Sequence, residues 1–462
     1  MQQPRPRPRV PHLRQIPPLF VSVLLCAATV AIAGEDFEIA PDHATAELLP
    51  ADMVSGPNFH VVDPVHGDGL MNHFVIDSRF GKFDAYGKGV LAIRIREVAA
   101  LTELAKLSDV EIVAGGAVKG VESEVKTATQ VVTHPVQTIT GIPKGIAHLF
   151  GGYSARGQEL SADAKSSAKS SGSQGSQGSA GSGSSTGNAS ASASGGSTTQ
   201  SNDKAEKAAK SYAEHYLGIT AAERDYYHKL GVDPYTDNRV LRDTIRRDAK
   251  ISGAASFGMK FVGLPGIPGI AIVERAVDEI YNEDPAVIRQ RTRKTLADFG
   301  LSPTEIESFM NAPLLSPTRQ VLLLAGVQAL DGVAQRGELF RHSIGLTSIE
   351  EVQVYLRSVG LLVKAHQSRP VASIVPGVRL PSALRADGSL VVCGAFEAVY
   401  WTETVARLAH ELRAALPTTP PGAARELWLA GALSERAQRA GNDEGWDVHA
   451  VPEEASATPA AH

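Results

Sequence analysis

His60, Asp63, His66 and Asp68 stand close together in the chain, with His73 and Asp77 just beyond them. Imidazole nitrogens mixed with carboxylate oxygens are the donor set of Zn²⁺ or another divalent ion, so these four residues are the metal-ligand candidates. The same stretch carries Asp63-Pro64 and Gly67-Asp68-Gly69, turn signals that place the side chains in solvent.

Other chemistry fails on spacing. His410-Glu411-Leu412-Arg413-Ala414 opens like a zinc-protease helix, but Ala414 stands where the second imidazole must be. No G-x-S-x-G elbow is present, and Ser343, Ser358 and Ser373 have no flanking signature. Gly115-Gly116-Ala117-Val118-Lys119-Gly120 lacks both the spacing and the hydroxyl of a phosphate loop. The glycines at 263, 266 and 269 recur by three, which is not the dinucleotide pattern. Cys393 follows two valines and reads as a small buried apolar side chain. Glu397, Glu403 and Glu411 are acidic but form no pair that spacing singles out. No pattern implies a cofactor.

The elements that would hold such residues belong to a chain of 462 residues with 43% apolar and 21% charged side chains. That length and composition support two or three globular domains. Residues 1–33 contain Arg5, Arg7, Arg9 and Arg14, then an apolar run from Leu19 to Ile32, then Ala31-Ile32-Ala33. This is the layout of a secretory signal peptide. The apolar run is shorter than the ~20 residues a spanning helix needs, so no transmembrane helix is expected in the mature chain. Beyond residue 33 there are 41 basic and 50 acidic side chains, a net charge of −9. A net acidic chain without a Lys/Arg run argues against nucleic acid as a partner. Only Cys393 remains after the leader, so no internal disulfide is available and the core alone must hold the fold.

From Ser161 to Asn202 there is no Val, Ile, Leu or aromatic residue. Such a segment cannot bury enough apolar area to offset its ordering entropy. The expected layout is therefore a signal peptide at 1–33, a small α+β module at 35–159 and a disordered Ser/Gly linker at 160–203. A helical bundle at 204–369, an α/β or sheet-containing lobe at 370–454 and a disordered tail at 455–462 complete it. The fold class is α+β, as two bodies on a leash that fold apart.

Within the first module, short strands are expected at 59–62, 74–77 and 82–86, and a helix at 90–107. Val118, Val121, Val125 and Val132 then recur at three and four, an amphipathic stripe whose apolar face could meet a partner. Ser302-Pro303 and Ser316-Pro317 are helix starts, and Thr347 with Glu350 reads as a capping box. An Asp387-Gly388 hairpin, a helix at 402–416, a strand at 426–430 and a final strand at 446–449 shape the lobe.

These features point to an exported, non-catalytic binding or scaffolding protein of the cell envelope, periplasmic or secreted, with an envelope protein as partner. The alternatives are an exported hydrolase, with a site in a cleft between the bundle and the final sheet, and a peripheral membrane protein using residues 118–150 or 261–273.

Overall fold

A computed structural model describes residues 37–114, 144–151, 207, 209–252 and 279–451. The leader, the valine stripe at 118–132, the Ser/Gly stretch, the 261–273 segment and the tail lie outside the described residues.

The N-terminal sheet is built around one long strand. After β1 (Asp42–His43) come two single-turn helices, α1 (Thr45–Leu48) and α2 (Ala51–Val54), too short to leave a periodic signal. Then follow β2 (Ser55–Gly56), β3 (Phe59–Val61), β4 (Val65–Gly67), β5 (Asn72–Ser78) and β6 (Gly81–Tyr86). β5 pairs antiparallel with β6 along one edge and with β3 and β4 along the other. Gly81 closes the β5–β6 turn at φ +118°, a conformation that side-chain-bearing residues avoid. Phe74 and Ile76 of β5, with Val61, Val65 and Ala85, bury one face against Leu91 of α3 (Lys88–Ala114).

α3 has a second interface. Ala100, Leu101 and Leu104 pack against Tyr226, Tyr227 and Leu230 of α5 (Ala221–Leu230) and Leu241 and Ile245 of α6 (Arg239–Ser252). Beside this contact, Glu97 is buried and accepts hydrogen bonds from Arg94, Thr236 and Asn238, while Arg94 also pairs with Asp237 at 2.8 Å. The short α4 (Lys144–His148) leads to Phe150, whose ring stacks on Phe396 at 5.3 Å. Leu70, Met71, Tyr86, Ile146 and Leu149 join the same core cluster as the C-terminal helices and sheet.

The expectation of two bodies folding apart is therefore corrected: the described residues from Glu38 onward belong to one compact unit. Apolar side chains on both sides of the Ser/Gly stretch bury one another, and no spacing within either half could show that.

The helical part continues with α7 (Pro285–Asp298), α8 (Pro303–Met310), α9 (Pro317–Gln328), α10 (Gly337–Ile344) and α11 (Ile349–Ser368). Asp284, Ser302 and Ser316 cap their helices, each with proline in the first turn, and Ser302 with Glu305 completes a capping box. At α11 the cap sits one residue later than expected. Ser348 accepts from the Glu351 amide, and the Glu351 carboxylate takes the amide and hydroxyl of Thr347. Glu351 is buried and also meets His148 at 2.7 Å. That contact favours this register over the Thr347/Glu350 box.

The C-terminal lobe contains β7 (Ser373–Ile374), β8 (Ser382–Leu384), β9 (Leu390–Gly394), β10 (Ala398–Val399), α12 (Glu403–Ala415), β11 (Arg425–Leu429), β12 (Ala432–Leu433), α13 (Glu435–Asp443) and β13 (Asp447–Ala450). β9, β11 and β13 run parallel through helical crossovers, and β8 and β7 extend the sheet antiparallel, in the order β13-β11-β9-β8-β7. α11 lies on one face, where its Ser358 hydroxyl accepts the Ala395 amide. α13 lies on the other, where Gly441 approaches Val448. The sheet thus covers the helical bundle within a single core, and the class is α+β.

Candidate functional site

Open sheets with parallel strands bind ligands at the carboxyl ends of those strands. Here that crevice is filled by the chain's own N-terminal segment. The Leu70 carbonyl accepts the amides of Glu397 (2.9 Å) and Ala398 (3.3 Å), just past β9, and the Gly69 carbonyl accepts the Tyr400 amide at 2.9 Å. The Glu38 carboxylate accepts the Trp401 amide (2.6 Å) and the Ser434 hydroxyl (2.5 Å). Glu397 reaches back to accept the Lys88 amide and, at 3.2 Å, the Asn72 side-chain amide. Gly431, past the end of β11, passes so close that a Cβ there would lie 1.7 Å from the Glu397 carbonyl oxygen.

One oxygen in this junction is left over. Asp68 Oδ1 accepts the amides of Leu70 and Met71, both at 2.7 Å, while Oδ2 is buried without a hydrogen-bond partner. Burial raises the Asp68 pKa, those two amides lower it, and the nearby Glu397 charge adds to the rise. The balance is about 6.

A cleft of about 300 Å³ opens instead on the α11 face of the sheet, over β11 and β13, lined by Ser368, Arg369, Arg385, Glu426, Trp428, Asp447 and His449. Side chains on a strand alternate between faces, so Glu426 and Trp428 point the same way. The parallel register sets Asp447 opposite Glu426 and His449 opposite Trp428. The four form the floor, and the C-terminal end of α11 with the β8–β9 turn supplies the two arginines.

Glu426 organises this site. Its Oε1 accepts from Arg385 Nε (2.9 Å) and Arg369 Nη2 (2.5 Å), and its Oε2 from Arg385 Nη2 (2.6 Å) and Trp428 Nε1 (3.1 Å). Burial pushes the carboxyl pKa up, but the hydrogen bonds from Arg385 and Trp428, the Arg385 charge and the Arg369 bond outweigh it and bring it to about 2. Arg385 also donates to the carbonyls of Arg369 and Ala365, which closes its fork. Arg369 is half exposed and touches Asp387 at 3.5 Å. On the β13 side, the His449 ring stacks on Trp428 (4.8 Å between centroids, 17° between planes), and its Nε2 lies 3.3 Å from Asp447 Oδ2.

The sequence-derived metal candidates do not converge. His60 is exposed on β3, Asp63 accepts the Thr45 amide at 2.6 Å, and His66 pairs with Asp42 at 2.8 Å. Asp68 turns inward at the junction. His73 pairs with Asp84 at 3.0 Å and Asp77 with Lys82 at 3.6 Å. Among the described residues no three His, Cys, Asp or Glu side chains form a metal site. The four candidates therefore share no site: Asp63 and His66 take different local partners, and Asp68 is turned into the junction.

The interaction candidates Val118, Val121, Val125 and Val132 lie outside the described residues. Cys393 is buried and its thiol pKa is pushed far up by desolvation. Glu397 belongs to the crevice junction, Glu403 opens α12, and Glu411 pairs with Arg407 at 2.8 Å. Ser343 and Ser358 donate to helix carbonyls, and Ser373 to the Ile374 carbonyl.

Sequence reasoning missed the cleft residues. The alternation Glu426-x-Trp428 and Asp447-x-His449 was available as a signal, but only strand register joins the two pairs. Among the described residues no helix is long and apolar enough to cross a membrane. No family model, curated protein or solved structure matches this chain.

Proposed function

We propose that this chain is an exported, non-catalytic binding or scaffolding protein of the cell envelope, periplasmic or secreted, whose cleft over β11 and β13 holds a small ligand or the tip of a protein partner. Saturation of Glu426 carries this reading. A carboxylate near pKa 2, with four donors on its oxygens, neither takes up nor releases a proton at neutral pH, which general acid–base work requires. It is instead a rigid support that fixes Arg369 and Trp428 in position. Occupation of the carboxyl-end crevice by residues 38 and 68–72 points the same way. The net acidic mature chain makes nucleic acid a poor partner.

A second reading, an exported hydrolase, has one observation in its favour: Ser368, His449 and Asp447 line the same cleft, the residue types of a nucleophilic triad. Against it, the Ser368 hydroxyl donates to the Ala365 carbonyl at 2.9 Å. Two measurements on the full chain separate the readings. Pull-down from envelope extracts should retain a partner with the wild type and lose it with His449→Ala. Hydrolysis of p-nitrophenyl acetate should equal the buffer rate; turnover abolished by Ser368→Ala would establish the hydrolase instead.

A further inference from the structure

We infer that the cleft takes a zwitterion of amino-acid or short-peptide size, its carboxylate held by Arg369 and its ammonium by Asp447, with its body against the outer face of the His449 ring. This deepens the binding reading and rests on it. The inference comes from counting donors and charges along the cleft. Arg385 spends its fork on Glu426 and two backbone carbonyls, so it has little left for a ligand. Arg369 makes one bond to Glu426 and a long one to Asp387. A guanidinium has five N–H donors, and with its side chain 50% exposed Arg369 has donors to offer.

Glu426 and Asp387 balance the two guanidinium charges, so this end offers the unused N–H donors of half-exposed Arg369. At the other end Asp447 is 69% exposed, with the His449 Nε2 at 3.3 Å and no Lys or Arg paired to it among the described residues. The strand register carries the two ends on adjacent strands: Arg369 is bonded to Glu426, and Glu426 faces Asp447 across the β11–β13 pair. A cation-seeking and an anion-seeking group thus flank one small space. Two residues further along both strands the same cleft is lined by the Trp428–His449 stack, a flat surface that favours a compact organic body over a bare ion. A volume of about 300 Å³ sits at the small end of ligand sites, ~300–1,000 Å³, which fits a ligand of one or two residues.

The test is calorimetric titration of the full chain with four probes: alanine, alanyl-alanine, N-acetyl-alanyl-alanine and alanyl-alaninamide. One of the two zwitterions should bind, and which one does distinguishes a free amino acid from a peptide. Masking either end of the dipeptide should weaken binding by about tenfold or more, the effect of losing one charge-assisted hydrogen bond. Arg369→Gln should weaken the dipeptide yet leave the carboxyl-masked probe unchanged. Asp447→Asn should do the same for the amine-masked probe. Both substituted side chains are at least half exposed, so folding is preserved.

Equal binding of masked and unmasked probes, or no zwitterion binding up to about 10 mM, overturns the ligand class. A set of unrelated charged and aromatic fragments, followed through the indole N–H signal of Trp428, separates that failure from failure of the cleft itself. Fragments that shift the signal in the wild type but not in His449→Ala leave the cleft standing with another ligand. If none shifts it, both readings fall.

Discussion

Glu426 and Arg385 meet through two parallel hydrogen bonds, Nε to Oε1 at 2.9 Å and Nη2 to Oε2 at 2.6 Å, with both side chains almost wholly out of water. Such a pair contributes little net stability while intact, because desolvation offsets attraction, but breaking it strands a buried charge. Glu426→Ala should therefore lower the unfolding free energy by about 3–5 kcal/mol, read from urea denaturation. A loss below about 1 kcal/mol would place the pair at the level of a surface ion pair and remove its role as the support of the cleft.

Asp68 makes the crevice junction sensitive to pH. Its pKa is 3.8 unfolded and about 6 folded, so the folded chain binds the extra proton between those values. The stabilising contribution of the protonated form is fully present below pH 3.8 and is lost as pH rises through 6, on the order of 3 kcal/mol in all. Asp68→Asn keeps an acceptor for the Leu70 and Met71 amides and cannot ionise. The difference in urea midpoint between wild type and variant should move in the variant's favour from pH 4 to pH 7.5. A constant difference contradicts this account.

Gly431→Ala should be among the most damaging single changes in the chain. The added methyl would meet backbone, the Glu397 carbonyl oxygen at 1.7 Å, and backbone cannot rotate away. Soluble yield should collapse, or the melting temperature fall by well over the ~4 °C that about 1 kcal/mol removes from a small domain. Gly422→Ala is the control: its Cβ meets nothing within 4 Å, although φ +84° adds some strain.

A protease site placed near residue 180 tests the shared core. After cleavage the two pieces should elute together in size-exclusion chromatography, because Leu101 and Leu104 stay buried against Tyr226 and Leu230. Leu101→Ala should weaken that association and cost about 2–5 kcal/mol in the intact chain. Pieces that separate without denaturant would restore two independent bodies.

Much of the local structure was legible in the residues. The strands around Phe74 and Lys82, the long helix from Lys88, the proline-led starts at Ser302 and Ser316, and the alternation ending at His449 are encoded within a few neighbouring positions. Caps, turns and periodicity act over that distance, so a linear reading finds them. Glu351 shows where it stops: the local pattern points to Thr347 with Glu350, whereas Ser348 is the cap and the Glu351 carboxylate meets a histidine 203 positions away.

What the sequence by itself determined, then, is the class of elements and their order. Tertiary structure alone decided that the two halves share one interior, that Leu70 and Glu38 fill the crevice past the parallel strands, and that Glu426, Asp447, Arg369 and Arg385 meet in a cleft. The physical reason is one of range. Hydrogen bonds that start a helix or close a hairpin join near neighbours, whereas the choice of sheet neighbour and the burial of one apolar face on another depend on the whole folded chain.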